Sequence, residues 1–221
     1  MFKSLCISLT LLIYLSANAQ LQQDPRARKI LDRFSDQSQE DYPVEIRFEY
    51  IYESLIDKET HIETGSLILH GDQFRLRFGE SDVFCDGNTL WNHLTSAGEV
   101  YISDAEEGQV EDDFFISNPG DIFTFYRKGF KYRLKEKIKY QDQEYYEIDL
   151  YPEDLDGSYH TIKLLIDSEH LRLHSAETLG KHGVNHTVIV MEYRAKVETD
   201  ENTFVFKPGE HPGIEVIDTR F

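Results

Sequence analysis

Cysteine is nearly missing from this chain. Only Cys6 and Cys85 occur, and Cys6 lies in an apolar leader. With the leader removed, one thiol remains and no intramolecular disulfide can form, although a secretory compartment would permit one. Cys85, flanked by Phe84, reads as a buried thiol rather than a nucleophile. Positive charge is also scarce. Lys and Arg total 23 against 41 Asp and Glu, a formal charge of −18. Such a surface argues against nucleic acid and anionic membranes as partners. After the leader, no apolar run approaches the length of a membrane-spanning helix. Internal repeats and interdomain linkers are missing as well.

Catalytic signatures are also lacking. There is no Gly-rich phosphate loop, no nucleophile elbow around Ser66 or Ser158, and no His that pairs with Cys85. His170 and His174 are four apart, as are His182 and His186. On strands each pair would lie about 13 Å apart, too far for one metal ion. The carboxylates Glu106, Glu107, Glu111, Asp112 and Asp113 do not have the ligand spacing of a calcium loop. Asn185-His186-Thr187 fits a glycosylation sequon, which matters only in a system that reads it. The sequence therefore points to no catalytic residues, no metal and no cofactor.

What is present divides in two. Residues 1–19 have a basic start at Lys3, an apolar run from Leu5 to Leu15, and a small-x-small end at Ala17-Asn18-Ala19. This is the pattern of a cleaved secretory signal peptide, with cleavage near Ala19. Residues 20–221 are enough for one domain with a substantial core. Asp24-Pro25 opens a helix, with Asp24 as cap and Pro25 in the first turn. Ala27, Ile30, Leu31 and Phe34 form its apolar face, and it ends before Tyr42-Pro43. The pattern then switches to period two. Val44, Ile46, Phe48, Tyr50 and Tyr52 alternate with Glu45, Arg47, Glu49 and Glu53, the mark of a strand with one apolar and one charged face. Roughly ten antiparallel strands follow from the same pattern, a sheet long enough that it must curl to bury its apolar side.

The sole Trp sits in a hairpin. Val83-Phe84-Cys85 leads in, Asp86-Gly87-Asn88 reverses the chain, and Thr89-Leu90-Trp91 starts the return. An acidic stretch, 104–113, then leads to Phe114-Phe115-Ile116 and Asn118-Pro119-Gly120. Asp121 is placed to cap a short helix carrying Ile122, Phe123, Phe125 and Tyr126. With 13 Tyr and 14 Phe, the chain has more aromatic surface than its sheet ends require. The insert reads either as a plug in a closed core or as a lid over a cavity for a long apolar ligand.

Asp86-Gly87-Asn88-Thr89-Leu90-Trp91 resembles the Asp-Gly-x-x-Leu-Trp hairpin of the outer-membrane lipoprotein carrier protein (LolA) family. Phe204-Val205-Phe206-Lys207-Pro208, followed by Gly213-Ile214-Glu215-Val216-Ile217-Asp218, resembles its ending. The order of elements is similar too. The resemblance implies a mainly β fold: an incomplete antiparallel β-barrel, or strongly curved sheet, with an N-terminal helix and a short helical lid over an apolar cavity. It implies a periplasmic carrier that binds lipoprotein acyl chains, takes them from an inner-membrane transporter, and passes them to an outer-membrane acceptor. A related role is an envelope-stress sensor of the same fold that acts through protein contacts. The cavity residues implied are Ile46, Phe48 and Tyr50, then Leu67 and Leu69, then Phe74, Leu76 and Phe78, with Trp91, Phe123 and Tyr126. The family often has an Arg in the turn after the second strand, where it holds the lid shut. Here that turn is His70-Gly71-Asp72, leaving Arg75 or Arg77 as substitutes.

Overall fold

A computed structural model describes residues 23–105, 114–117 and 119–220. The leader and most of the acidic stretch, 106–113, lie outside the described residues. The first element among the described residues is α1 (Pro25–Glu40). The Asp24 carboxylate accepts the Arg26 backbone N–H at 2.9 Å, and Pro25 occupies the first turn. The Arg26 guanidinium bonds the same carboxyl and holds its pKa down at about 2. Ala27, Ile30, Leu31 and Phe34 are all buried, as their spacing requires.

Six strands follow in a meander: β1 (Val44–Ser54), β2 (Glu59–His70), β3 (Gln73–Phe78), β4 (Ser81–Cys85), β5 (Thr89–Leu94) and β6 (Glu99–Asp104). The insert comes next, with α2 (Phe114–Ser117) and two 3-10 turns, Pro119–Asp121 and Phe125–Arg127. Five more strands make the second meander: β7 (Phe130–Tyr140), β8 (Gln143–Pro152), β9 (Tyr159–Asp167), β10 (Leu173–Gly180) and β11 (Val184–Arg194). The last strand is β12 (Glu215–Asp218). All belong to one 12-stranded sheet in the order β12-β6-β5-β4-β3-β2-β1-β11-β10-β9-β8-β7.

The two meanders therefore join through β1 and β11, and the sheet stays open between β7 and β12. It is a curved sheet rather than a closed barrel. Two expectations need correction. The residues after Asp121 do not form a regular helix. Pro119-Gly120 and the non-helical Thr124 (φ −130°) break this stretch into single turns. The final strand is parallel, since Glu215–Asp218 pairs with β6 running the same way.

The 86–89 turn works as its residues suggest. Gly87 adopts φ +97°, and the Asp86 side chain accepts the N–H groups of Asn88 at 2.9 Å and Thr89 at 2.8 Å. Gly65 serves a different need. It stands opposite Phe48 on β1, where the register against β11 shifts. A Cβ on Gly65 would lie 2.3 Å from Phe48 Cζ. The Phe48 ring fills the place a side chain would take. Replacing Gly65 with Ala should destabilise the fold by about 1–3 kcal/mol, the usual cost of overpacking. Denaturant unfolding would measure it, and a smaller side chain in the double variant Gly65→Ala/Phe48→Leu should recover part of the loss.

Candidate functional site

The site is built from the parity of three strands. Across β1, β2 and β3 the register aligns Val44, Leu69 and Phe74, then Ile46, Leu67 and Leu76, then Phe48, Gly65 and Phe78. These side chains share the inner face. Tyr50 follows Phe48 on the same side of β1 and packs its ring 5.0 Å from Phe78. On the other flank, Val190 and Val188 of β11 stand opposite Phe48 and Tyr50. Ile46, Phe48, Tyr50, Leu67, Leu69, Phe74 and Leu76 are all buried in one core cluster, with Phe78 packed against it.

The insert covers this face. Phe115, Ile122, Phe123, Phe125 and Tyr126 belong to the same cluster. Between the two layers lies a void of about 20 Å³, walled by Ile46, Phe48, Leu67, Leu76, Val188 and Val190 below and by Phe115, Ile116, Pro119 and Ile122 above. A water needs roughly 10–15 Å³ of such space, so the void has room for one water and none for a chain. The inner face is covered in this structure, and the insert fills nearly all the space over it.

A small set of contacts fastens the cover to α1. The Tyr126 hydroxyl donates to Asp32 Oδ1 at 2.9 Å, and Arg127 Nη2 donates to Ser35 Oγ at 3.0 Å. The Phe123 ring meets Phe34 edge-on at 5.5 Å and Tyr42 at 6.3 Å. Burial raises the pKa of the Tyr126 hydroxyl and takes that of Tyr42 to about 12, so both stay protonated near neutral pH. Arg75 and Arg77 are directed elsewhere. Their odd positions point them to the face opposite Phe74, Leu76 and Phe78, where both bond Asp82, Arg75 at 2.7 Å and Arg77 at 3.4 Å. Asp32 and Ser35 were not singled out from the sequence. The available signal was a pair of polar residues on the α1 flank beside Phe34.

Trp91 is also placed differently from the expectation. It pairs with Phe84, while its neighbour Leu90 pairs with Cys85. Cys85 and Leu90 face the main core, so Phe84 and Trp91 must face away from it. There Trp91 packs with Phe84, Val100, Phe206 and Ile214, under the C-terminal segment. It does not line the inner face. Cys85 is 2 % exposed, and burial raises its thiol pKa, which keeps it in the inert thiol form.

A second space lies further along the inner face. It measures about 280 Å³ and is lined by Tyr52, Ser158, Tyr159, Thr178, Gly180, His182, Val184 and His186. Tyr50 stands between the two spaces on β1, and its hydroxyl hydrogen-bonds His186 Nδ1. On the outer face a more open depression of about 480 Å³ runs past Arg47, Ser66 and Arg77, whose arginines already pair with Glu192 and Asp82. Among the described residues, no group of three or more His, Cys, Asp or Glu gathers as a metal site would require. His186 lies against Tyr50 and Tyr52, and His174 against Tyr145.

The chain is similar in fold to a conserved protein of Thermus thermophilus. The TM-score is 0.54 at 15% identity, over 87% of this chain and 99% of that one. It is also similar in structure to a putative outer membrane lipoprotein-sorting protein domain from Vibrio parahaemolyticus, with TM-score 0.46 and 13% identity over 80% of this chain and 97% of that one. A LolA superfamily protein from Nitrosomonas europaea gives 0.45 and 13% over 83% and 98%. These likenesses are structural only, at low sequence identity. No protein-family model and no curated protein matches the sequence.

The hydroxyl bond from Tyr126 to Asp32 sets a test of the cover. Tyr126→Phe keeps the ring and removes the donor. It should cost about 1 kcal/mol, the net worth of one such bond with Asp32 half open to water. Backbone amides of residues 119–129 should exchange with solvent faster, while those of β1 and β11 should not change.

Proposed function

We propose that this protein is a periplasmic carrier for the acyl chains of lipoproteins, and that it catalyses no reaction. One observation carries the reading: an apolar inner sheet face covered by a separate insert that is fastened to α1 through polar bonds from Tyr126 and Arg127. The motifs at 86–91 and 204–218 support it, and so does a leader with the pattern of a signal peptide. In this reading residues 20–221 act as one domain after residues 1–19 are removed. The cargo comes from an inner-membrane lipoprotein-releasing transporter and goes to an outer-membrane acceptor.

The physics of the reading is an exchange of covers. One acyl chain of about 15 carbons represents on the order of 10 kcal/mol of apolar surface to be sheltered from water. Ile46, Phe48, Tyr50, Leu67, Leu69, Phe74, Leu76 and Phe78 form the floor that shelters it. Phe123 and Tyr126 belong to the cover that swings away. Trp91 has no part in the cavity. When empty, the protein lays its own insert on the floor, so no large apolar patch meets solvent. When loaded, the chain replaces the insert, and the two covers differ by far less than either differs from bare surface.

The test is purification of the full chain from a periplasmic extract, followed by mass spectrometry for acylated peptides. Lipid-modified N-terminal peptides should accompany the wild-type protein and rise in amount with Tyr126→Phe. Recovery of a stoichiometric protein partner without acylated peptides would replace this reading with an envelope-stress sensor acting through protein contacts.

A further inference from the structure

At one end of the open sheet three hairpin tips meet. The chain turns at Leu55 and Ile56 between β1 and β2, at Leu155 between β8 and β9, and at Lys181 to Gly183 between β10 and β11. The tips are tied together. The Leu55 N–H donates to the Gly183 carbonyl at 2.8 Å, and the Lys181 N–H to the Ser158 carbonyl at 2.9 Å. The Lys181 ammonium donates to the Leu155 carbonyl. Leu155, Ile56 and Leu55 are 77%, 73% and 56% exposed. Single exposed leucines are ordinary, but several around a cavity mouth mark a binding surface. The 280 Å³ space lies directly behind these tips, close to the lower size of a ligand pocket, roughly 300 Å³.

One strand face runs inward from this mouth. Tyr52 lines the rim space, Tyr50 comes next on the same side of β1, and Phe48 then lines the void beneath the insert. On β11 the same steps are His186, Val188 and Val190. An apolar chain entering at the tips would therefore reach the covered floor without leaving the inner face. The charges on the tips are mainly negative. Asp57, Glu59, Asp154 and Asp156 outnumber Lys58 and Lys181. The wall carries polar side chains at Ser158, Tyr159, Thr178, His182 and His186, and the Thr178 hydroxyl donates to the His186 carbonyl at 3.4 Å.

We propose that the rim space is the entry portal for the cargo, taking a single alkyl chain with an uncharged ester- or amide-linked head and disfavouring a chain that ends in a carboxylate. The proposal rests on the acyl-binding reading above and adds where the chain enters and which head it tolerates. The acidic tips repel an anionic head, and the exposed leucines shield the first methylenes as they leave water.

Calorimetric titration of the full chain with monolauroylglycerol, and separately with laurate, both below their critical micelle concentrations, tests it. Monolauroylglycerol should bind about ten-fold or more tightly than laurate. Ser158→Trp and Val184→Trp each put an indole into the rim space and should weaken monolauroylglycerol binding by about ten-fold or more. Ser158 is exposed on its tip, so that variant folds even if the Val184 one does not. The pair Asp154→Lys and Asp156→Lys should narrow the preference for the neutral head. Wild-type affinity in Ser158→Trp overturns the portal and leaves acyl binding standing. Laurate binding as tightly as monolauroylglycerol overturns the head selection. A wild-type protein that binds neither removes the acyl-binding reading and the portal with it.

Discussion

An open sheet with one apolar face has to be covered, and the rest of this structure answers that requirement. Twelve strands in one sheet, with β7 and β12 at its two edges, cannot shelter the inner face by closing. α1 lays Ala27, Ile30, Leu31 and Phe34 over part of it, and the insert lays Phe115, Ile122, Phe123, Phe125 and Tyr126 over the rest. The outer side of β4 to β6 has its own smaller need. Phe84, Trp91 and Val100 point outward there, and the C-terminal segment covers them with Phe206 and Ile214 before adding β12 to the sheet. The described parts of the insert and of the C-terminal segment thus serve as covers on opposite faces.

Most of the framework is local and can therefore be read from the sequence. Period-two alternation marks β1 and β3 because inward and outward side chains differ sharply in polarity, as in Phe74-Arg75-Leu76-Arg77-Phe78. Asp24-Pro25 and the Ala27 to Phe34 spacing locate α1 for the same reason. What fails is whatever depends on distant partners. Phe84 and Cys85 are both apolar, so β4 shows no alternation, and only the pairing of Cys85 with Leu90 reveals which way Trp91 turns. The parallel pairing of β12 depends on β6, more than a hundred residues away. The inner-face residues of β1 to β3 were legible, whereas Asp32 and Ser35 were not, because polar residues on a helix flank look like ordinary solvated ones.

The cover over the inner face differs in kind from the rest of the core. α1 is a continuous helix of 16 residues, capped at its start and stabilised by its own backbone hydrogen bonds. The described part of the insert is a series of single turns closed by short-range backbone bonds, such as Thr124 N–H to the Asp121 carbonyl at 2.7 Å and Arg127 N–H to the Thr124 carbonyl at 3.0 Å, and its side chains fix its placement. Phe123 and Tyr126 hold it to α1 as well as to the sheet. The sheet's ladder bonds join strand to strand, so the described part of the insert contributes no strand pairing to the sheet it covers.

Release sets the harder condition. A carrier that shelters an acyl chain completely would keep it, so the empty state must compete with the loaded one. In the proposed carrier role the insert would supply that competition from within the chain. Its aromatic side chains fit the floor so closely that only about 20 Å³ remains, and in the proposed role each ring that returned to Phe34 or Asp32 would regain contacts that cargo had displaced. For a carrier of this design, tight self-covering and easy unloading would be the same property. On the proposed reading the floor residues would set how strongly a chain is held, while the insert and its bonds to α1 would set how much of that holding is given back.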